Sequence, residues 1–220
     1  MDEVLVEVNG EALVLDPEGA AWWPAVRTLV LADIHFEKGS AYARGRQFLP
    51  PYDTRTALKR IAALMHAYAP ARVIALGDSF HDRDGADRLD DFERDQLAQM
   101  GRIAEWIWIE GNHDPAPPAW LGGRVCSEIA IGGLLFRHEP SASFVRGEIA
   151  GHLHPCATVT RRGHSIRRRC FVSDGSRLVL PAFGAYAGGL DVREQAIRSL
   201  FGARVLAYLL GARRVYAAAA

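Results

Sequence analysis

The chain has 220 residues, with 24 arginines against 2 lysines and a formal net charge of zero. Hydrophobic residues make up 49% and charged residues 24%, which suits a globular protein with a sizeable core and excludes a disordered chain. Every long apolar run is broken by charge well before ~18 residues, so no transmembrane helix is expected. The acidic lead Met1-Asp2-Glu3 does not read as a signal peptide, so a cytoplasmic location is expected.

In chain order, Val4–Val8, the turn Asn9-Gly10 and Ala12–Leu15 read as a β-hairpin. Asp16-Pro17-Glu18-Gly19 breaks it. Trp22 and Trp23 read as packing residues ahead of the next strand. Arg27–Ala32 is a continuous apolar run of buried-strand type that ends at Asp33. Phe36–Tyr52 mixes Gly, Arg and Pro and reads mostly as loop. Asp53 is placed to cap a helix through Tyr68, with Leu58, Ile61, Leu64 and Met65 on one face.

A second buried strand, Arg72–Leu76, closes at Gly77-Asp78. A polar helix over Leu89–Gly101 and a strand over Trp106–Ile109 follow, the latter closing at Gly111-Asn112. Three strand–loop–helix units in series favour a layered α/β fold with its chemistry at strand C-terminal ends. From Val125 to Leu180 short strands alternate with Gly turns. A short helix near Arg193–Phe201 and a strand near Arg204–Leu209 complete the pattern, and Ala217–Ala220 reads as a frayed tail. With no internal repeat or low-complexity linker, residues 1–220 are expected to form one domain. Cys126, Cys156 and Cys170 are too few and too scattered for a disulfide framework or a structural zinc site.

Six of the eight histidines lie at strand ends beside Gly, Asp or Asn. The strings are Asp33-Ile34-His35, Gly77-Asp78-Ser79-Phe80-His81, Gly111-Asn112-His113-Asp114, Arg137-His138-Glu139 and Gly151-His152-Leu153-His154. In an extended segment Asp-x-His and His-x-His put two side chains on one side, where they can chelate together. Carboxylate, amide and imidazole without thiolate suit Mn²⁺, Fe²⁺ or Zn²⁺. Asp33, His35, Asp78, Asn112, His138, His152 and His154 are more donors than one ion needs, which points to two metals sharing a carboxylate. The glycines ahead of Asp78, Asn112 and His152 allow close backbone approach.

These strings resemble the pattern of the calcineurin-like metallophosphoesterase superfamily, D-x-H, G-D-x-x-(D/H), G-N-H-(D/E), a lone His and G-H-x-H. Beyond it, Trp23-Pro24, Ala32–Lys38, Arg137–Pro140, Gly151–Pro155 and Leu180–Tyr186 with Gly188-Gly189 resemble bacterial DNA-ligase-associated metallophosphoesterases. The resemblance implies a four-layer αββα sandwich of two mixed sheets flanked by helices. It implies a first metal on Asp33, His35, Asp78 and His154, and a second on Asp78, Asn112, His138 and His152, with Mn²⁺ foremost. It further implies that His113, oriented by Asp114, stands beside the scissile phosphate as general acid while a metal-bridging hydroxide attacks. The expected activity is phosphodiester hydrolysis, as a DNA endonuclease in repair, beside a DNA ligase, a helicase and an exonuclease.

Two positions depart from the superfamily pattern: His81 where many members have Asp, and Arg137 where Gly is usual. His81 reads as facing the substrate or supporting the metals. Residues 1–160 carry 23 acids against 15 bases, whereas residues 161–220 carry 11 arginines against 3 acids. Any basic surface is therefore local. Arg161, Arg162 and the run on to Arg169, with Lys38, Arg44 and Arg46 after the first string, are candidate phosphate contacts. Pro181–Gly189 is expected to loop near the site. Rival readings are a small-molecule nucleotide phosphodiesterase or phosphatase, and a non-catalytic scaffold, against which the full set of ligands speaks.

Overall fold

The computed structural model describes residues 4–47, 49–50, 52–161, 163–202 and 204–220, and for Arg161 the main chain alone. Two sheets form. In the first, β1 (Val4–Val8), β2 (Glu11–Leu15), β3 (Ala21–Trp23), β4 (Thr28–Leu31), β5 (Arg72–Leu76), β6 (Glu105–Ile109) and β7 (Arg124–Cys126) lie side by side in chain order. The pairings up to β3–β4 are antiparallel, and those from β4 to β7 are parallel. The switch follows from the connections, because parallel neighbours need crossovers. Here α1 (Lys38–Arg44) and α2 (Asp53–Tyr68) link β4 to β5, and α3 (Gly85–Arg88) and α4 (Asp91–Ile103) link β5 to β6.

The second sheet contains β8 (Glu128–Ile131), β9 (Leu134–Arg137), β10 (Glu148–Ala150), β11 (Cys156–Arg161), β12 (His164–Ser173), β13 (Arg177–Val179), β14 (Leu206–Leu210) and β15 (Val215–Ala219). Its order is β15-β14-β12-β13-β10-β9-β8, with β11 paired to β12 alone. Strand β10 runs parallel to both β9 and β13.

Alternation sorts each parallel strand between two cores. Val30, Ile74, Leu76, Ile107 and Ile109 face Phe136, Ile149, Phe171 and Leu178 of the second sheet. Leu29, Leu31, Val73, Trp106 and Trp108 face Leu58, Ile61, Met65, Leu97 and Met100 of α2 and α4. Strands buried on both faces read as unbroken apolar runs, which is why β4 to β6 stand out in the sequence. Trp106 and Trp108 stack at 4.6 Å in this core, as packing residues. The outer face of the second sheet, with Cys170, Val172, Ala207 and Leu209, is covered by Val192 and by Ile197 of α5 (Gln195–Arg198). The result is the expected layering of two mixed sheets between helices, with the fourth layer reduced to about one helical turn.

Local expectations fail where tertiary contacts override pattern. Phe36–Tyr52 is not all loop, because α1 forms with Lys38 and Gly39 buried and the Gly39 amide donating to Asp53 Oδ2 at 2.8 Å. That bond also takes Asp53 away from capping. Asp53 is the first residue inside α2, and the capping position falls to Tyr52 without a side-chain cap. Trp22 and Trp23 belong to a strand, with Trp22 stacked on Tyr68 at 5.2 Å and Trp23 buried against Phe136. Ala217–Ala219 are not frayed but pair with Tyr208, Ala207 and Leu206. Cys126, Cys156 and Cys170 are free thiols, half-buried in the first case and buried in the others.

Candidate metal centre

Five strand ends converge. Asp33 and His35 follow β4, Asp78 follows β5, and Asn112 and His113 follow β6, while His138 and His152 follow β9 and β10. All of these strands belong to parallel pairs, so the two sheets present their C-terminal ends to the same place. The turns there are forced. Asp33, His35, Asp78, His152 and His154 all have left-handed φ, between 46° and 68°. A non-glycine residue held there costs on the order of 1–3 kcal/mol and persists only where surroundings impose it. Close packing adds to this. A Cβ on Gly111 would lie 2.1 Å from the Asp78 nitrogen, and one on Gly151 would lie 2.6 Å from Asp33 Oδ2.

The donors fall into two groups, each able to converge on one ion. Asp33, His35 and His154 form one, and Asp78, His138 and His152 form the other. In the first, His154 Nε2 lies 3.3 Å from Asp33 Oδ1 and 3.4 Å from His35 Nε2. In the second, His138 Nε2 lies 3.5 Å from Asp78 Oδ2 and 3.1 Å from His152 Nδ1. Main-chain bonds lace the groups together. His152 N donates to Asp33 Oδ2 at 2.9 Å, and His35 N donates to Asp78 O at 2.9 Å.

The donor chemistry fits divalent cations. Asp33 Oδ1 is buried and accepts no hydrogen bond. Burial, and then the neighbouring His154, pull His35 down to about 2. Burial, followed by His138, lowers His152 as well. At His154 burial also disfavours the charge, but Asp33 outweighs it and the value rises. Neutral imidazoles expose the lone pairs that ligation needs. His138 Nδ1 donates to the Leu76 carbonyl at 2.9 Å, which leaves Nε2 turned to Asp78.

His113 stands at the rim with its side chain half-exposed and Nε2 3.9 Å from Asp78 Oδ2. Its ring is not held by Asp114. His113 Nδ1 donates to the His81 carbonyl at 2.7 Å, whereas the Asp114 carboxylate accepts from the Phe80 amide at 3.0 Å. Asp114 therefore orients His113 indirectly, by fixing the segment that carries that carbonyl. Nothing in the sequence marks this contact, since any residue supplies a main-chain oxygen. Burial pushes Asp114 up to about 7 against the Phe80 bond.

His81 stacks on His113 at 5.2 Å and meets His35 edge-on at 5.5 Å, inside the cluster. Burial and then Lys38 pull it down to about 4. Lys38 is buried at the start of α1, where burial lowers it against the charges of Asp53, Asp78 and Asp33. Asn112 is exposed between Gly111 and His113, whose amide donates to Asp78 Oδ1 at 2.9 Å. Arg44 is exposed and ion-paired to Asp84 at 3.2 Å, and Arg46 is exposed in a left-handed turn after α1. Arg162 and the Arg161 side chain lie outside the described residues.

A double-sheet α/β protein with two imidazole–carboxylate triads at its strand ends is of the metal-dependent hydrolase class. Residues 26–166 match the profile of the calcineurin-like phosphoesterase family, and the chain belongs to that family. It is a metal-dependent phosphoesterase. Among solved structures it is similar to the nuclease MPE of Pseudomonas putida, with a TM-score of 0.77 and 29% identity over 98% of this chain and 100% of that one. It also matches Yfce, a phosphoesterase from E. coli, with a TM-score of 0.42 and 12% identity over 87% of this chain and 98% of that one. Among curated proteins the sequence search found no match. Among the described residues no helix is long and apolar enough to cross a membrane.

Proposed function

We propose that residues 1–220 act as one binuclear phosphodiesterase that cleaves a nucleic-acid backbone, with DNA as the substrate. The observation that carries this is the meeting of the two triads, one ion's donors each, at a point reached by five strand ends. Similarity to a nuclease supports the nucleic-acid substrate. Asp33, His35 and His154 hold the first ion, His138, His152 and Asn112 hold the second, and Asp78 serves both. Mn²⁺ suits these donors best, with Fe²⁺ or Zn²⁺ as substitutes. Two bound cations would polarise phosphate oxygens and acidify a water.

The chain's own part in the reaction falls to His113. Its Nδ1–H stays hydrogen-bonded to the His81 carbonyl throughout, so the doubly protonated ring is the acid: its Nε2 proton passes to the leaving alkoxide and the ring is left neutral. Lys38 and His81 face the substrate phosphate, with Arg44, Arg46, Arg161 and Arg162 as a wider basic rim. A place in cytoplasmic DNA repair beside a DNA ligase, a helicase and an exonuclease follows from the resemblance in sequence. Purified protein with Mn²⁺ is expected to nick supercoiled plasmid, and His113→Gln to keep its metals while losing about 10²–10⁴-fold in rate. Hydrolysis of a nucleotide panel without nicking would overturn the substrate assignment.

A further inference from the structure

The densest run of positive charge leaves the His152–His154 turn along β11 and β12 and ends at Arg169. Its inner members are not free to meet a ligand. Arg169 Nη1 donates to the carbonyls of Ala182 (2.7 Å), Phe183 (3.3 Å) and Gly184 (3.0 Å). Two residues earlier, on the same face of β12, Arg167 Nη2 donates to the Gly189 carbonyl at 2.5 Å. Arg60 of α2 grips the same strap, donating to the Phe183 carbonyl at 2.7 Å with its guanidinium 4.0 Å over the Phe183 ring.

The strap bears on one metal triad. The Phe183 amide donates to Ala32 O at 2.8 Å, and the Gly184 amide to Asp33 O at 3.0 Å. A Cβ on Gly184 would lie 2.1 Å from Ile34 O, and one on Gly189 would lie 2.1 Å from His154 O. The strap therefore presses on the left-handed turn at Asp33 at one end and on His154 at the other. Among the described residues no carboxylate lies within ion-pair reach of Arg169. Burial, and then the charge of Arg60, count against its protonated form. Carbonyl oxygens are its hydrogen-bond partners, with the charge of Glu18 helping from further away, which is a costly arrangement for a loop of no consequence.

We infer that Arg169 and Arg167 are positioning residues for the Asp33–His35–His154 triad, acting through the 182–189 strap to set its metal affinity. The second triad is fixed chiefly by Leu76 and His113 and meets the strapped turn only through the His152 amide on Asp33 Oδ2. The inference rests on the reading of both triads as metal sites.

The test titrates Mn²⁺ into metal-free full-length protein and follows the free ion by electron paramagnetic resonance, with circular dichroism confirming the fold. Asp33→Asn and His152→Ala identify which binding step belongs to which triad. Arg169→Met is expected to weaken the Asp33 step about 10–100-fold and the His152 step far less. Arg169→Lys is expected to recover part of the loss, because it keeps the cation but not the reach and planar geometry of the guanidinium. Wild-type affinity at both steps in folded Arg169→Met, or equal weakening of both, overturns the inference. Should Arg169→Met fail to fold, exposed Arg167→Met decides by the same criteria. If neither Asp33→Asn nor His152→Ala removes a step, the metal-site assignment itself falls, whatever the arginine variants do, and this inference falls with it.

Discussion

The two triads hold similar donors but are supported in different ways. The second is braced from close by. His138 is tied to Leu76, the last residue of β5, and Asp78 receives the amide of His113 from the neighbouring strand end. The first is braced from far along the chain. Asp33 is wholly buried, its turn is pinned by amides some 150 residues later in the sequence, and those amides are held by arginines on β12 and α2. Both triads draw on the two sheets, the second taking Asp78 from the first sheet and His138 and His152 from the other, so each assembles only when the sheets dock. The first needs, in addition, the 182–189 strap in place over Asp33.

The largest expected effect removes both sides of this comparison at once. Asp78→Asn should lose both metals and bring phosphoesterase activity to background, read by metal analysis of the dialysed protein alongside turnover. Full occupancy in that variant would contradict a shared carboxylate. Gly111→Ala should separate the triads from the side opposite to Arg169. Its Cβ would strike the Asp78 backbone and carboxylate at 2.1 and 2.4 Å, a conflict worth about 1–3 kcal/mol in a urea titration. The His152 step of Mn²⁺ binding should weaken more than the Asp33 step, and the reverse order would show that the bracing has been assigned backwards. The smallest effect serves as the control. Asp90 and Glu93 form a capping box at the start of α4, in the outer helix layer. Asp90→Ala should cost about 1 kcal/mol of stability and leave both binding steps where they are.

The same contrast explains what the sequence could reveal. Asp33, His35, Asp78, His138, His152 and His154 were legible because each lies at the end of a recognisable strand and belongs to a residue type with few other uses there. Strands β4 to β6 were legible because burial on both faces leaves unbroken apolar runs. Strand β15 was not, since its alanines have no pattern and are ordered by pairing with β14. Helix α1 was not, since seven residues that include a glycine depend on Asp53, fourteen positions away. The contact through which Asp114 orients His113 runs by way of the His81 carbonyl oxygen, which has no sequence signature. Arg169 illustrates the same limit. In the sequence it is one member of a basic run, and its use depends on carbonyls brought to it by the fold.

Two ions sitting where the two triads meet are the core of the proposed chemistry. The most direct measurement is an anomalous difference map from a crystal of the full chain soaked in Mn²⁺, with data collected at the manganese edge. Two peaks are predicted, one among Asp33, His35 and His154 and one among Asp78, His138 and His152. A single peak, or peaks away from these side chains, would contradict the account.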